Sequence, residues 1–142
     1  MSANIETVKR NYESFGKGDI PAILATLTSD VRWEYETADH GIPWLKPRTG
    51  PAEVAQFFET LAALDFTRFE PTTFLEGDGQ VAVVVKEQVT VRATGRTVTD
   101  LVMHLWTFDA SGAVSAFRHF CDTHQQMVAL AGEPARLAAS AR

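Results

Sequence analysis

Imidazole and carboxyl side chains fall on stretches of this chain that otherwise read as apolar strands. His104 lies in Asp100-Leu101-Val102-Met103-His104-Leu105-Trp106, His119 lies in Phe117-Arg118-His119-Phe120-Cys121, and Glu87 closely follows Val81-Ala82-Val83-Val84-Val85. Imidazole titrates near neutral pH, so either histidine is able to donate or accept a proton without large tuning. A glutamate among apolar neighbours is pushed toward its protonated form and becomes a base or acid useful near neutrality. Such a set would carry out proton transfer without a cofactor: protonating an enolate, taking a proton beside a carbonyl, or holding a carbonyl oxygen. A competing reading exists for each group. His104 would be costly to bury unpaired, and a core histidine bonded to a backbone carbonyl or to Asp100 also meets that demand. Glu87 has the alternatives of an ion pair with Arg118 or an outward turn.

Strand parity sorts these residues, because positions two apart share a face. If His104 faces a cavity, so do Asp100, Val102 and Trp106, with Glu87, Val89 and Val91 beside them and Phe117, His119 and Cys121 on the last strand. The candidate catalytic set is therefore His104, His119, Glu87 and Asp100. Tyr12, Trp33, Tyr35, Trp44, Phe57, Phe58 and Leu61 complete an expected apolar lining with Val89, Val102, Trp106, Phe117 and Cys121. Such a lining suits a hydrophobic small molecule, although aromatic residues also fill ordinary cores. Asp122 has the opposite parity to His119 and reads as a helix cap or a salt-bridge partner across a dimer. His119, Cys121, Asp122 and His124 cluster in sequence, but a strand splits them between faces and their spacing fits no zinc pattern, so no metal is expected. The chain carries no phosphate loop, serine nucleophile elbow or dinucleotide fingerprint, and no cofactor is expected.

The elements that must position these groups are legible in the periodicity. Ile5, Val8, Tyr12 and Phe15 recur at helical spacing after Asn4, an expected N-cap, and before Gly16 and Gly18. Asp19-Ile20-Pro21 opens a short second helix through Leu27. In Val31-Arg32-Trp33-Glu34-Tyr35-Glu36 the period becomes two, which predicts a strand with Trp33 and Tyr35 on one face and Glu34 on a wet face. The loop from Thr37 to Thr49 holds Gly41, Pro43 and Pro47 yet also Ile42, Trp44 and Leu45, as expected of a cover. Gly50-Pro51-Ala52-Glu53 opens a third helix with Val54, Phe57, Phe58, Leu61 and Leu64 as its stripe. Four strands then follow, Phe66 to Glu76, Gln80 to Ala93, Arg96 to Phe108 and Ala113 to Thr123, joined by short turns as an antiparallel meander. Gln125 to Leu130 adds a closing helical turn.

The order of these elements, with Leu27-Thr28-Ser29-Asp30-Val31-Arg32-Trp33-Glu34 entering the first strand and Ala113-Val114-Ser115-Ala116-Phe117-Arg118-His119-Phe120-Cys121-Asp122-Thr123 forming the last, resembles the SnoaL-like and ketosteroid-isomerase-like group. That resemblance, over about residues 5–130, implies the nuclear-transport-factor-2-like architecture. This is an α+β cone in which a curved antiparallel sheet packs against three N-terminal helices and encloses an apolar pocket. It also implies a choice of functions, since the group includes isomerases, polyketide cyclases, epoxide hydrolases, dehydratases and binding proteins without chemistry. The sequence departs from ketosteroid isomerases, because His104 falls where the donor aspartate would lie and Tyr35 where the base would be. It resembles SnoaL-like cyclases in the histidine on the third meander strand, His104, and in an acidic residue near His119 or Asp122. We therefore expect a cofactor-independent isomerase, cyclase or hydratase acting on a hydrophobic carbonyl or cyclic substrate, or else a non-catalytic binder of a hydrophobic ligand.

Composition limits the partners. The 142 residues are 45% hydrophobic and 22% charged with a formal net charge of −5, which suits one globular domain over 1–131 with a flexible tail over 132–142. Without a basic cluster, nucleic acid is not an expected partner. No apolar run reaches membrane-spanning length, Met1 to Glu6 lacks the character of a signal peptide, and the single Cys121 rules out an intrachain disulfide, so a soluble cytoplasmic protein is expected. The meander strands are apolar on both faces, and the outer face is expected to pair with a second copy in a homodimer.

Overall fold

The computed structural model describes residues 2–132, and the tail expected from 132 onward lies outside them except for Gly132. The chain runs α1 (Ala3–Gly16), α2 (Ile20–Leu24), β1 (Leu27–Trp33), β2 (Arg48–Thr49), α3 (Pro51–Thr60), β3 (Leu64–Gly77), β4 (Gln80–Val91), β5 (Thr97–Phe108), β6 (Val114–Phe120) and α4 (Thr123–Leu130). The strands form one six-stranded sheet in the order β2-β1-β6-β5-β4-β3, antiparallel except where β1 runs parallel to β6. This is the mixed α+β cone, with helices over the concave face of an unclosed, curved sheet. Among the described residues, no helix is long and apolar enough to cross a membrane.

Local chemistry explains the boundaries. Ser2, rather than the expected Asn4, caps α1 by accepting from the Ile5 N–H at 3.1 Å. A side-chain oxygen there satisfies one of the orphan donors of the first turn. Asp19 caps α2 in the same way, and Asp122 caps α4 by accepting from the Gln125 N–H, one of the roles its parity suggested. Gly50 caps α3 at φ 83°, where a Cβ would stand 3.3 Å from the Ser29 carbonyl oxygen. Glu53 Oε1 reaches back to the Thr49 N–H at 2.9 Å.

The core lies between the helices and the inner sheet face. On β4 and β5 alternate residues are buried, including Val81, Val83, Val85, Val89, Val102, His104 and Trp106. Two register shifts in β3, between Phe66 and Arg68 and between Pro71 and Thr73, break its alternation. Their effect is to let Phe66 and Phe69, of opposite parity, join the same aromatic cluster, with ring centroids 6.0 Å apart. The outer face keeps an apolar row, with Leu101 64%, Leu75 58%, Phe120 45% and Met103 39% exposed.

Candidate active site

The inner face of the sheet and α1 enclose a hollow of about 80 Å³, room for several water molecules. Its wall is almost wholly apolar, and the polar groups that reach it are few. His104 and His119 are direct cross-strand partners on β5 and β6, with ring centroids 5.1 Å apart. Cross-strand pairing fixes this separation, because opposed residues on neighbouring strands share a face.

His104 is held by α1. Helical spacing puts Val8, Tyr12 and Phe15 on the face of α1 that meets the sheet, and the Tyr12 hydroxyl lies 2.8 Å from His104 Nδ1. Trp106, two residues from His104 on the same strand face, donates its Nε1–H to the same hydroxyl at 3.1 Å. Burial, followed by the neighbouring His119, holds the His104 imidazole well below its usual titration range. Burial also raises the Tyr12 phenol, with the Trp106 hydrogen bond opposing that shift. Both groups are therefore neutral at physiological pH.

His119 is held by a residue expected on the wet face. β1 ends at Trp33, and Glu34 takes a positive φ of 52°, which turns its side chain inward until none of it is exposed. Its Oε1 accepts the backbone N–H of His119 at 2.9 Å, and its Oε2 stands 3.9 Å from His119 Nδ1. Neither Glu34 Oε2 nor His119 Nε2 has a hydrogen-bond partner among the described residues, although both are sealed from solvent. Burial is the largest influence on the Glu34 carboxyl and lifts it from 4.5 to about 8, against the opposing pull of the His119 N–H, Arg118 and Arg48. Burial also lowers the His119 imidazole to about 4. At neutral pH the pair thus carries one shared proton more than a carboxylate and a neutral imidazole would.

Glu87 also lines the hollow, and burial followed by the facing Asp100 raises it to about 7. Its place is distinct from that of the imidazoles. Val83 is the β4 partner of His104, so Glu87 lies about 13 Å farther along the strand and addresses the other end of the hollow.

Of the residues expected to line the site, Tyr12, Trp33, Trp44, Phe57, Phe58, Leu61, Val89, Trp106 and Phe117 all do so. Trp33 stacks on Phe117 at 4.2 Å, and the apolar loop expected to act as a cover brings in Trp44 from a 3-10 turn at Pro43–Leu45. Four expected residues do not reach the wall. Tyr35 is displaced because the positive φ at Glu34 breaks strand parity; it lies between Arg32 and Arg118, whose guanidinium carbons are 4.8 and 6.0 Å from its ring. Asp100 is engaged by the Asp122 N–H at 2.7 Å, and Val102 is packed into the core. Cys121 accepts from Gln126 Nε2 at 3.2 Å, and burial followed by nearby carboxylates pushes its thiol up to about 12. The wall also includes Asn11, Phe15, Phe66, Phe69 and Gln126, which the sequence did not single out for it. Gln126 accepts from Trp44 Nε1 at 2.5 Å, so α4 and the covering loop are latched together at the hollow. Among the described residues, no group of three His, Cys, Asp or Glu side chains is placed to hold a metal ion.

A family model described as a SnoaL-like domain matches residues 8–117, a span that includes most of α1, all of β1 and the strand bearing His104. The chain belongs to the SnoaL-like family. Solved structures agree with this SnoaL-like assignment. An NTF2-like protein of unknown function from Burkholderia pseudomallei is 30% identical, with a TM-score of 0.78 over 91% of this chain and 98% of that one. TerC, co-crystallised with polyporic acid, is 27% identical with a TM-score of 0.73 over 86% of this chain and 93% of its own. A protein from Pseudomonas putida provisionally named a polyketide cyclase is 21% identical with a TM-score of 0.67 over 84% and 91%, a likeness of fold alone. Among curated proteins, none matches the sequence.

Proposed function

We propose that this SnoaL-like protein is a cofactor-independent acid–base catalyst, of isomerase, cyclase or hydratase type, acting on a small hydrophobic molecule with a carbonyl or cyclic core. The reading rests on one observation: two neutral imidazoles face one apolar hollow as cross-strand partners, and one of them is backed by a buried carboxyl. Glu34 here has the tuning role that the sequence suggested for Glu87 or Asp100. The two protonation states of the Glu34–His119 pair give opposite competences. With the pair protonated, His119 Nε2–H is a proton donor whose loss is made good at Nδ1 from the Glu34 carboxyl. With the pair deprotonated, the Glu34 carboxylate holds Nδ1–H and leaves the Nε2 lone pair as a base. The 3.9 Å gap is longer than a hydrogen bond, and such contacts commonly tighten only when ligand is bound.

In the base direction, Nε2 of His119 takes a proton from the carbon beside a carbonyl. The C–H electron pair becomes the enolate double bond, and the charge arriving on oxygen is stabilised by a hydrogen bond from His104. Return of a proton to the same or another carbon completes an isomerisation or exchange. Glu87 addresses the far end of the substrate. That TerC was co-crystallised with polyporic acid supports an organic small molecule as the occupant.

The test is deuterium uptake at the α-carbon of 1-indanone in D₂O, followed by NMR. We expect exchange above the buffer rate that His119→Ala abolishes. Exchange equal to buffer, or untouched by that substitution, would mean that the hollow only binds. This second reading is favoured by the nearly complete apolar wall. Two further parts of the proposal concern the setting. The exposed outer row pairs with a second copy of the chain, because Met103 and Phe120 are register partners and continue an apolar band too regular for a solvated sheet face. A cytoplasmic location accords with a single cysteine and no disulfide.

A further inference from the structure

The hydrogen bonds around Tyr12 carry information about which ligand the hollow accepts. A tyrosine hydroxyl has one proton and two acceptor positions, and an indole N–H donates only. Trp106 Nε1–H occupies one acceptor position of the Tyr12 oxygen. Among the described residues, the remaining polar neighbour of that oxygen is His104 Nδ1 at 2.8 Å, and the other rings about it, Phe69 and Phe74, offer no acceptor atom. The hydroxyl proton therefore points at Nδ1. An imidazole that accepts at Nδ1 while neutral must carry its own proton on Nε2.

We infer that Tyr12 and Trp106 are positioning residues that lock His104 as its Nε2–H tautomer, so that the hollow selects ligands presenting an acceptor oxygen, such as a ketone, a quinone or an enolate. This deepens the proposed function and rests on its reading of His104 as a wall residue of the ligand site. A second observation points to the same ligand chemistry. Trp33 is 1% exposed and lines the hollow, and its Nε1–H, another group that only donates, has no acceptor among the described residues. A buried donor without a partner is costly, and an acceptor oxygen on the ligand would relieve that cost. A purely hydrocarbon ligand would leave both donors unpaired.

The experiment separates the tautomer from turnover. Long-range ¹H–¹⁵N spectra of the labelled protein near neutral pH, with His104 assigned by comparison with His104→Gln, should show a bare Nδ1 and a protonated Nε2. Tyr12→Phe should move His104 to the other tautomer or to a mixture. Trp106→Phe, which frees the hydroxyl to rotate, should produce a mixture and serves if Tyr12→Phe does not fold. In parallel, titration with 1-indanone and with indane, in which a methylene stands where the ketone has its carbonyl, should give about tenfold tighter binding of the ketone. Tyr12→Phe should bring the ratio of ketone to indane affinity toward one. A protonated Nδ1 in the unmodified protein, or equal binding of the two probes, would overturn the inference. If the tautomer and the ketone preference are found but α-carbon exchange is absent, the tautomer lock stands and the catalytic proposal fails; exchange with Nδ1 protonated is the converse.

Discussion

Glu34 is the residue whose chemistry depends most on its surroundings. Its carboxyl sits at about 8 and that of Glu87 at about 7, against an ordinary 4.5. Over those intervals the folded chain holds protons that the unfolded chain has released, so stability falls as pH rises. His119 has the opposite sign: with its imidazole near 4 instead of 6.5, the unfolded chain binds the extra proton and stability falls as pH drops below 6.5. The two trends oppose each other between 4.5 and 6.5, and above about 7 the loss belongs to Glu34. We expect thermal melts to give the highest Tm on the acid side of neutrality and a decline from about pH 7 to 8. Glu34→Gln keeps an acceptor for the His119 N–H but cannot ionise, and it should flatten that decline; an unchanged slope would assign the titration to another group. The same substitution should remove the rise of 1-indanone exchange with pH through about 8, because the base form of the pair needs the carboxylate.

At the scale of elements, the hollow depends on pieces far apart in sequence being fastened over it. The covering loop contributes Trp44 and α4 contributes Gln126, each nearly fully buried and joined by a side-chain hydrogen bond. Gln126→Ala would strand the Trp44 indole N–H in a dry site, at a cost of about 1–3 kcal/mol. We expect a lower Tm and faster amide hydrogen exchange confined to α4 and residues 42–45, with the strands unaffected. Uniform loss of protection would instead show that α4 unfolds with the whole domain. The strands themselves are legible because short turn sequences separate long apolar runs, and in the structure burial alternates along β4 and β5. Two features were not. The register shifts in β3 and the positive φ at Glu34 each change which face a side chain takes; Pro71 marks one of the shifts, but no residue type announces the shift between Phe66 and Arg68 or the turn at Glu34. Strand parity alone therefore puts Glu34 on the surface and Tyr35 in the wall.

For the molecule as a whole, the proposed dimer depends on the outer sheet face. Val84, Met103 and Phe120 line up across β4, β5 and β6 by register, with Leu101 and Leu75 nearby. Sedimentation equilibrium should report a dimer that Met103→Lys converts to monomer, with the circular dichroism of the fold retained. A monomeric unmodified protein would remove the second copy from the proposal and leave the outer row without a partner.

Periodicity, caps and turn residues determined by themselves that the chain forms helices followed by a meander, and parity brought His104, His119 and Glu87 toward one hollow. These are local properties, set by spacings of a few residues along one strand or helix. Tertiary structure alone decided what stands behind each imidazole. Tyr12 is separated from His104 by 92 positions and Glu34 from His119 by 85, and contacts over such distances come from how helix and sheet pack. The strand end at Trp33 decided the rest, since a single residue in a left-handed backbone conformation reverses the parity on which any reading from spacing depends.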